Sequence, residues 1–329
     1  MEHPVIALDV MGGDFAPSAP IQGALKALAR HQDLRLMLVG PRTAIAEALA
    51  PTSLEAFGSR LSWVEASQAI GMDEAPVQAI RRKPDASLNV GVNQLVQGKA
   101  AAFVTAGNSG AALVAAMRQL GLLPGVSRPA LAVLFPGVSG ETVLLDVGSQ
   151  VQCRPEHLLQ FARLGTAFAR HTLGVPSPRV GLLNVGEEPG KGHAMARESG
   201  RRLALSGLNF VGNIEGWDLP RNRVDVAVCD GFTGNIVLKL AEGLSEMLMT
   251  ICPSLAELPG SRRFEYVEQG GSVVLGLKGL VILSHGRAQA PAIANAIGLA
   301  HRSLMSRTLE QMQAEFDASP IHSDQSNAR

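Results

Sequence analysis

Short apolar runs alternate with glycine-containing turns and helix-length segments along most of the chain. The runs with their turns read VIALDVMGGD, LRLMLVGP, AAFVTAGNSG, TVLLDVGSQ, RVGLLNVGEE, VDVAVCDGFTGN and GLVILSHG. The segments that follow carry helical apolar spacing, as in Leu158, Leu159, Phe161, Ala162 and Gly165, which would share one helix face. Strands alternating with helices predict βαβ units and a mainly parallel, doubly wound α/β sheet.

The same pattern predicts the domain organisation. No low-complexity linker interrupts it, so we expect one α/β domain over residues 1–308. After Lys239 an amphipathic helix should run to Ile251 and stop at CPSLAELPG, because proline ends helices. Residues 240–264 would then be a short helical excursion. The end of the chain is polar and lacks periodicity, which predicts a polar tail over 309–329.

Composition narrows the functional classes. Apolar residues make up 46% of the 329 positions and charged residues 18%, which suits strands buried on both faces. Lysine plus arginine equals aspartate plus glutamate, so we expect no nucleic-acid partner. The scattered Cys153, Cys229 and Cys252 fit a reducing cytoplasm, and the opening MEHPVIAL predicts no secretion signal. The uncharged stretch Ala100–Met117 contains TAGNSG, which predicts strand, loop and helix rather than a membrane span.

Candidate chemistry gathers where the predicted strands end. In open α/β sheets, ligands bind outside the carboxyl ends of the strands. Polar residues at those ends are Asp9, Asp14, Asn108, Ser109, Asp146, Asn184, Lys191, Asp230, Asn235 and His285. The glycines beside them allow tight turns and let backbone N–H groups approach a ligand. The sequence therefore predicts a ligand site along this edge.

The first strand leaves through DVMGGDFAP, where Asp9 and Asp14 bracket Gly12 and Gly13. One interpretation is structural: Asp9 forms an Asx turn, and Asp14 caps the helix that starts near Pro17. The other is that both acids shape a phosphate site. Carboxylates would repel phosphate directly, so the acids would orient the loops and a lysine or water.

Two further strand exits lead into helices. In TAGNSG, Gly107, Asn108 and Ser109 precede a helix N-terminus, which favours anions but is equally a place for ordinary capping. In CDGFTGN, Asn235 is either an amide donor to an oxyanion or the helix cap. The last strand ends at His285, which is either a site residue or a buried, hydrogen-bonded histidine.

The loop LLNVGEEPGKG places Lys191 between Gly190 and Gly192. It is not a Walker loop, since Val185 stands where that motif needs glycine and Gly192 replaces the Ser or Thr. A lysine here can still meet phosphate as a point charge, and the alternative is a solvated loop lysine. The chain carries no G-x-S-x-G elbow, no H-E-x-x-H and no G-x-G-x-x-G fingerprint, so no metal is predicted.

Eight motifs follow one another along nearly the whole chain: ALDVMGGDFAP, AIRRKPDASL, TAGNSGA, LLDVGSQV, LLNVGEEPGKG, NFVGNIEG, CDGFTGNIVLK and LGLKGLVILSHG. Together they resemble the motifs of the bacterial phosphate acyltransferases, the acyl-acyl carrier protein:phosphate transacylases of phospholipid synthesis. The resemblance implies a three-layer Rossmann-like α/β/α sandwich and a homodimer without a cofactor. It implies transfer of a fatty acyl group from acyl carrier protein to inorganic phosphate. The product would feed a membrane glycerol-3-phosphate acyltransferase.

The resemblance also implies site residues. Lys191 would meet phosphate or the developing oxyanion, with Asn235 and Asn108 as donors. The substrate-binding candidates are Asp9, Gly12, Gly13, Asp14, Gly107, Ser109, Gly190, Gly192, Asp230, Gly231, Gly234 and His285. Acyl carrier protein is acidic, and the basic candidates for docking it are Arg81, Arg82, Lys83, Arg262 and Arg263. For the run at 81–83, favourable interaction with a helix C-terminus is the alternative.

The chain also departs from the family pattern. Ser109 replaces the usual Thr, and Arg287 replaces a small residue. Ser149, Gln150 and Gln152 stand where Ala, Asn and Asp are typical. The apolar helical hairpin after Lys239 is shortened, which leaves open whether this cytoplasmic protein still associates peripherally with the inner face of the membrane.

Three other functions stay open at this point. A transacylase of the same general fold would use acyl-coenzyme A as the donor. A dehydrogenase on a related β-decarboxylating scaffold would need a metal-binding Asp set, which is not evident in the sequence. A scaffold of the lipid-synthesis machinery with weakened catalysis would bind a partner without turnover, and the altered SQVQC segment is compatible with it.

Overall fold

The computed structural model describes residues 4–49, 57–257 and 270–318. Backbone contacts group the chain into two compact units. The first unit comprises Met1–Gly121 and Tyr266–Met305, and the second comprises Leu122–Glu265 and Ser306–Arg329. A single domain over 1–308 stays a prediction.

Strands and helices alternate along the described residues, as the apolar pattern predicted. The strands are β1 (Val5–Asp9), β2 (Arg35–Gly40), β3 (Leu61–Glu65), β4 (Ala102–Thr105), β5 (Ala130–Pro136), β6 (Glu141–Leu145), β7 (Val180–Leu183), β8 (Phe210–Ile214), β9 (Val226–Val228), β10 (Ser272–Leu275) and β11 (Leu280–Leu283). The helices are α1 (Ser18–Arg30), α2 (Arg42–Leu49), α3 (Pro76–Arg82), α4 (Ser87–Val96), α5 (Ser109–Leu120), α6 (Pro155–Thr172), α7 (Ala194–Ala204), α8 (Gly231–Ile251), α9 (Ala290–Met305) and α10 (Thr308–Ala318). Short 3-10 helices lie at Gly58–Arg60, Gly216–Asp218 and Pro253–Glu257.

In the first unit the strands lie in the order β3, β2, β1, β4, β11, β10. All neighbouring pairs are parallel except β10 with β11. Leu8 pairs with Val104, and Leu283 pairs with Thr105, so β1, β4 and β11 end at the same edge. This edge collects the residues that follow those three strands.

In the second unit β5 and β6 form an antiparallel pair, and β6, β9, β7 and β8 are parallel neighbours in that order. Val228 pairs with Leu145 on one side and Leu182 on the other. The carboxyl ends of β6, β9 and β7 therefore lie side by side. A second edge of the predicted kind results.

The central strands of both units are buried on both faces, as parallel strands covered by helices should be, whereas β3 and β8 are partly exposed. Ile6, Ala7 and Leu8 of β1 are at most 1% exposed, and Leu144 and Ala227 of the second unit are fully buried. Burying such a side chain stabilises a fold by about 1.5–3 kcal/mol relative to leaving it in water. The low charge of the sequence has this physical cause.

The chain end differs from the predicted polar tail over residues 309–318, because this segment lies in α10. Met312 and Phe316 are spaced four apart and bury to 3% and 1% exposure. Glu315 accepts hydrogen bonds from Arg170 at 2.7 Å and pairs with His171 at 2.6 Å. Two apolar positions in a polar segment are enough to dock one face of a helix. The remaining tail residues lie outside the described part.

The predicted excursion after Lys239 is the second half of α8, which ends at Ile251 and is followed by the 3-10 helix. Residues 258–264 lie outside the described part of the chain. The apolar stripe of this helix is exposed at Leu240, Leu244, Met247, Leu248 and Ile251. Among the described residues, no helix combines the length and apolar character that crossing a membrane requires.

Candidate functional site

The end of β1 places Asp9 inside the first unit, with 2% of its surface exposed. Its Oδ1 accepts the Met11 N–H at 3.0 Å, which is the predicted Asx turn. Its Oδ2 accepts the Thr105 hydroxyl at 2.7 Å. Burial raises the pKa of Asp9 above its usual value, and hydrogen bonds from Ser87 and Thr105 oppose that rise. Asp9 thus ties the ends of β1 and β4 together.

The Gly12–Gly13 pair permits a close approach of two loops. A Cβ on Gly12 would lie 2.6 Å from the Gly107 nitrogen and 2.8 Å from Asp9 Oδ2. Gly13 has φ +96°, a backbone conformation that residues other than glycine rarely adopt. The glycines are therefore needed for packing against the loop that follows β4.

Asp14 is exposed, and its backbone N–H donates to the Gly286 carbonyl at 2.8 Å. The N-cap of α1 is Pro17 without a side-chain cap bond, so the interpretation of Asp14 as the helix cap is wrong. In the adjoining loop, His285 is partly exposed and its Nδ1 accepts the Arg287 N–H at 3.1 Å. The structure therefore brings Asp14 and His285 onto one edge, where the Asp14 carboxylate faces solvent.

Asn108 caps α5, as one of the two interpretations predicted. Its Oδ1 accepts the Ala111 N–H at 3.0 Å. Its Nδ2 lies 3.0–3.3 Å from three carbonyl oxygens of the loop 71–74. Both ends of the amide are thus engaged within the chain, and Ser109 beside it is exposed. A role for Asn108 as a donor to substrate stays a prediction.

In the second unit, Asp146 follows β6 and is fully buried. Its Oδ1 accepts the N–H groups of Leu131, Gly148 and Ser149 at 2.9, 3.2 and 3.0 Å. Its Oδ2 accepts the Ser149 hydroxyl and the Gln150 N–H, both at 2.7 Å. Burial raises the pKa of Asp146, and these hydrogen bonds oppose the rise. The carboxylate therefore fixes the shape of the loop 146–150.

Helix α8 begins beside this loop and follows β9. Asp230 is its N-cap and accepts both the N–H and the hydroxyl of Thr233 at 2.9 Å. Asn235 lies one turn in, where its Nδ2 donates to the Val147 carbonyl at 3.2 Å. The interpretation of Asn235 as the cap is therefore wrong, since Asp230 occupies that position. The helix N-terminus points its positive dipole end at this edge.

Two glycines let α8 press against the loop after β6. The Gly231 N–H donates to the Gln150 carbonyl at 3.0 Å, and a Cβ there would lie 2.7 Å from Asp146 Oδ2. A Cβ on Gly234 would overlap the Asp146 carbonyl oxygen. Only glycine fits at these positions without moving backbone atoms.

Lys191 lies on the loop between β7 and α7, flanked by Gly190 and Gly192. Its side chain is 53% exposed, and its ammonium lies 3.9 Å from Glu188 Oε2. The Lys191 carbonyl accepts the Asn184 side-chain N–H at 3.2 Å, and the next residue, Gly192, has φ +84°. The loop backbone is thus held while the cation remains accessible to an anion. This is also the geometry of a solvated lysine, so its catalytic role stays a prediction.

The predicted docking residues are only partly placed. Arg81 and Arg82 are exposed in the last turn of α3. Lys83 instead pairs with Glu74 at 2.6 Å and donates to the Ala69 carbonyl at 2.8 Å. Two candidates lie outside the described residues: Arg262 and Arg263.

Sequence reasoning missed Thr105, which bonds Asp9 across 96 residues, and left Asp146 out of the site set. No local sequence pattern indicates the role of Thr105, whereas the fully apolar run that ends at Asp146 indicates that this aspartate is buried. Within the described part of the chain, no three His, Cys, Asp or Glu side chains cluster as a metal site would require. Chemically, the second edge offers a reachable cation, an amide and a helix N-terminus, which together suit an anion.

Known proteins match nearly the whole chain. Residues 5–311 match the profile of the family described as fatty acid synthesis protein. A phosphate acyltransferase of Nitratidesulfovibrio vulgaris is 43% identical over 95% of this chain and 94% of its own length. Another from Desulforudis audaxviator is 45% identical over 90% and 91%.

Solved structures agree on the fold. A phosphotransacetylase from Streptococcus pyogenes superposes with a TM-score of 0.63 at 18% identity, covering 93% of this chain and 94% of its own. One from Staphylococcus aureus gives 0.61 at 14%, covering 92% and 94%. The Rossmann-like α/β fold with a mainly parallel sheet is thereby confirmed. The chain belongs to the phosphate acyltransferase family, which confirms the family and the enzyme class, acyltransferase, that its motifs predicted.

Proposed function

We propose that the protein transfers a long-chain fatty acyl group from acyl carrier protein to inorganic phosphate, forming an acyl phosphate. A phosphate oxygen attacks the thioester carbonyl, the C–S bond breaks, and the leaving thiolate takes a proton from solvent. A thiol with a pKa of about 8.5 leaves without much help from an acid. The enzyme must therefore supply position and stabilisation of negative charge.

The observation that carries this proposal is the second edge. Lys191 follows β7, and the α8 N-terminus follows the neighbouring β9. Phosphate would bind between the ammonium and the helix dipole. Asn235 would steady the α8 N-terminus by its bond to Val147, and its amide would donate to the developing oxyanion.

The thiol in this region supports direct attack by phosphate. Burial raises the pKa of Cys153 to about 12, and the Asp146 charge adds to the rise. Such a thiol is protonated at neutral pH and is a poor nucleophile. Phosphate dianion is a nucleophile itself, so no acyl-enzyme is needed.

The homodimer belongs to the same proposal. The apolar stripe of α8 is 46–72% exposed at its five members, Leu240, Leu244, Met247, Leu248 and Ile251. A second copy of the chain is the occupant we infer for this face, since the family resemblance implies a dimer and water-exposed apolar stripes favour burial. The product would pass to the membrane glycerol-3-phosphate acyltransferase from a cytoplasmic enzyme.

The test is thiol release from palmitoyl-acyl carrier protein with and without phosphate, with parallel reactions using palmitoyl-coenzyme A. We expect free thiol only with phosphate, together with an acyl phosphate that hydroxylamine traps as a hydroxamate. Thiol release from palmitoyl-coenzyme A but not from palmitoyl-acyl carrier protein would make coenzyme A, rather than the carrier protein, the acyl donor. No thiol from either donor, with folded dimeric protein, would favour the non-catalytic scaffold.

A further inference from the structure

An open groove of about 1030 Å³ lies within the second unit, apart from the residues assigned to chemistry. Its walls come from the segment before β5, the loop after β6, the first turn of α6 and the end of α7. Its charged and titratable lining is Arg128, Arg154, Glu156, His157, Arg201 and Arg202, with Cys153. None of these side chains is among the site residues that the sequence predicts.

The groove is locally basic in a chain whose formal net charge is zero. Four arginines face a single lining carboxylate, and Arg154 approaches that Glu156 only to 3.8 Å. Arg201 and Arg202 share one carboxylate, Glu198, at 2.8 Å each. A concave surface with unbalanced charge of one sign concentrates the potential and attracts a partner of the opposite sign.

The arginines stand on ordered backbone. The Arg154 N–H donates to His157 Nδ1 at 3.2 Å at the start of α6. Arg128 follows Ser127, whose N–H donates to the buried Gln160 Oε1 at 3.0 Å. Groups held in place before binding lose less entropy when a partner docks. The groove can therefore bind one specific acidic partner, in addition to attracting negative charge in general.

The groove adjoins the candidate site through one loop. Gln150 lines the groove, donates its N–H to Asp146 at 2.7 Å and accepts the Gly231 N–H at 3.0 Å. A partner seated among the arginines would thus contact the loop on which the α8 N-terminus rests.

We propose that this groove docks the acidic face of the acyl carrier protein that delivers the thioester. The proposal rests on the proposed function for the identity of the partner. Acidic side chains would pair with Arg128 and Arg154 and with Arg201 and Arg202 at the end of α7. Arginine suits this task because its planar donors meet carboxylates bidentately.

The direct test measures the affinity of acyl carrier protein without a thioester for the full-length enzyme, so it does not depend on turnover. The double variant Arg128→Glu/Arg154→Glu should bind at least about tenfold more weakly, and wild-type binding should weaken as salt rises. The control Lys26→Glu/Lys99→Glu reverses two exposed charges in the first unit and should leave the affinity unchanged. Unchanged affinity in the groove variant would overturn the proposal. So would a loss caused by Arg81→Glu/Arg82→Glu alone, which would favour the patch predicted from the sequence.

Steady-state kinetics with different acyl donors distinguish docking of the carrier protein from recognition of the pantetheine that carries the acyl group. The groove variant should raise KM for palmitoyl-acyl carrier protein about tenfold with little change in kcat, and leave turnover of uncharged palmitoyl-pantetheine intact. An equal rise with palmitoyl-coenzyme A would show binding of a phosphate ester and contradict docking of the carrier. Wild-type protein that transfers no acyl group at all would instead refute the proposed function, while the affinity measurement would still judge the groove.

Discussion

Both units bury an aspartate where a parallel strand ends, and the two carboxylates are used differently. Asp9 is hydrogen-bonded by the hydroxyls of Ser87 and Thr105 and by the N–H groups of Met11 and Gly12, whereas Asp146 accepts four N–H groups and one hydroxyl. Burial raises the pKa of both. The first carboxylate joins two strands. The second shapes a whole loop, against which α8 begins.

Other polar groups at the two edges also differ. In the first unit the Asn108 amide accepts a hydrogen bond from one backbone N–H and donates to carbonyl oxygens of three residues. In the second unit Lys191 keeps half of its side chain exposed. The first edge therefore has the character of a framework, while the second combines a fixed loop with an accessible cation. We therefore expect substitution of the Asn108 amide at the first edge to act mainly on stability and substitution of the accessible Lys191 cation at the second edge to act on chemistry.

The largest effect should come from Gly234→Ala. The added Cβ would overlap the Asp146 carbonyl oxygen, which is backbone and cannot rotate away. Overpacking at a rigid contact should lower the free energy of unfolding by about 3 kcal/mol or more and displace α8 from its loop. Urea unfolding followed by circular dichroism measures it.

The same helix offers a matched control. Gly243 is exposed, and a Cβ there would meet nothing within 4 Å. Gly243→Ala should therefore raise the free energy of unfolding by up to about 1 kcal/mol through helix propensity. Equal losses in both variants would mean that the close approach at Gly234 is not what limits the position. At the first edge, Gly12→Ala should destabilise as well, because its Cβ would lie 2.6 Å from the Gly107 nitrogen.

The next effect contrasts the two edges directly. Lys191→Ala should lower kcat for phosphate-dependent thiol release about 100- to 1000-fold, the size seen when one oxyanion-stabilising group is lost. Its free energy of unfolding should stay within about 0.5 kcal/mol, because an exposed lysine 3.9 Å from its partner contributes little. Lys191→Arg should restore part of the activity by restoring the charge.

Asn108→Ala should have the opposite profile, with lower stability and a largely unchanged kcat of the folded protein. Losing the α5 cap and the bonds to loop 71–74 should lower the free energy of unfolding by about 2 kcal/mol. The chemical step should fall in proportion to the folded fraction only. If Lys191→Ala kept normal kcat while Asn108→Ala lost it without unfolding, the roles given to the two edges would be exchanged.

The fold was largely readable from local pattern, and its omissions have local causes. The apolar runs before glycine turns mark β1, β2, β4, β6, β7, β9 and β11. The pattern does not reveal β3, which carries a half-exposed tryptophan, Trp63, and no glycine turn. Nor does it reveal β5 and β10, which pair antiparallel with a neighbour close in sequence.

The site was readable only where it is local. The Asx turn of Asp9 and the cap at Asn108 involve residues two or three positions apart. Thr105 meets Asp9 across 96 residues, and the arginine groove gathers side chains from four separate segments. Such partners are chosen by strand register and helix packing, which one sequence without its fold does not display.

A smaller effect tests the two aspartates themselves. In Asp146→Asn, the new NH₂ group must face an N–H donor whichever way the amide turns, so a buried repulsion replaces a hydrogen bond. We expect a loss of about 2–3 kcal/mol in the free energy of unfolding. In Asp9→Asn, the NH₂ can face the Thr105 hydroxyl, which can accept as well as donate. The loss there should be about 1 kcal/mol or less. Equal losses at pH 7 would mean that the number of N–H donors does not distinguish the two sites.

The smallest effect is a change in thiol reactivity that reports the charge on Asp146. With a pKa of about 12, Cys153 should be alkylated by iodoacetamide very slowly at pH 8, since only about one thiol in ten thousand is ionised. Asp146→Asn removes the second-largest cause of that shift, after burial, and should lower the pKa and speed alkylation severalfold in peptide mass spectra. Asp9→Asn in the other unit should leave the rate unchanged. An unchanged alkylation rate in Asp146→Asn, or an equal increase in Asp9→Asn, would mean that the charge on Asp146 does not set the ionisation of the Cys153 thiol.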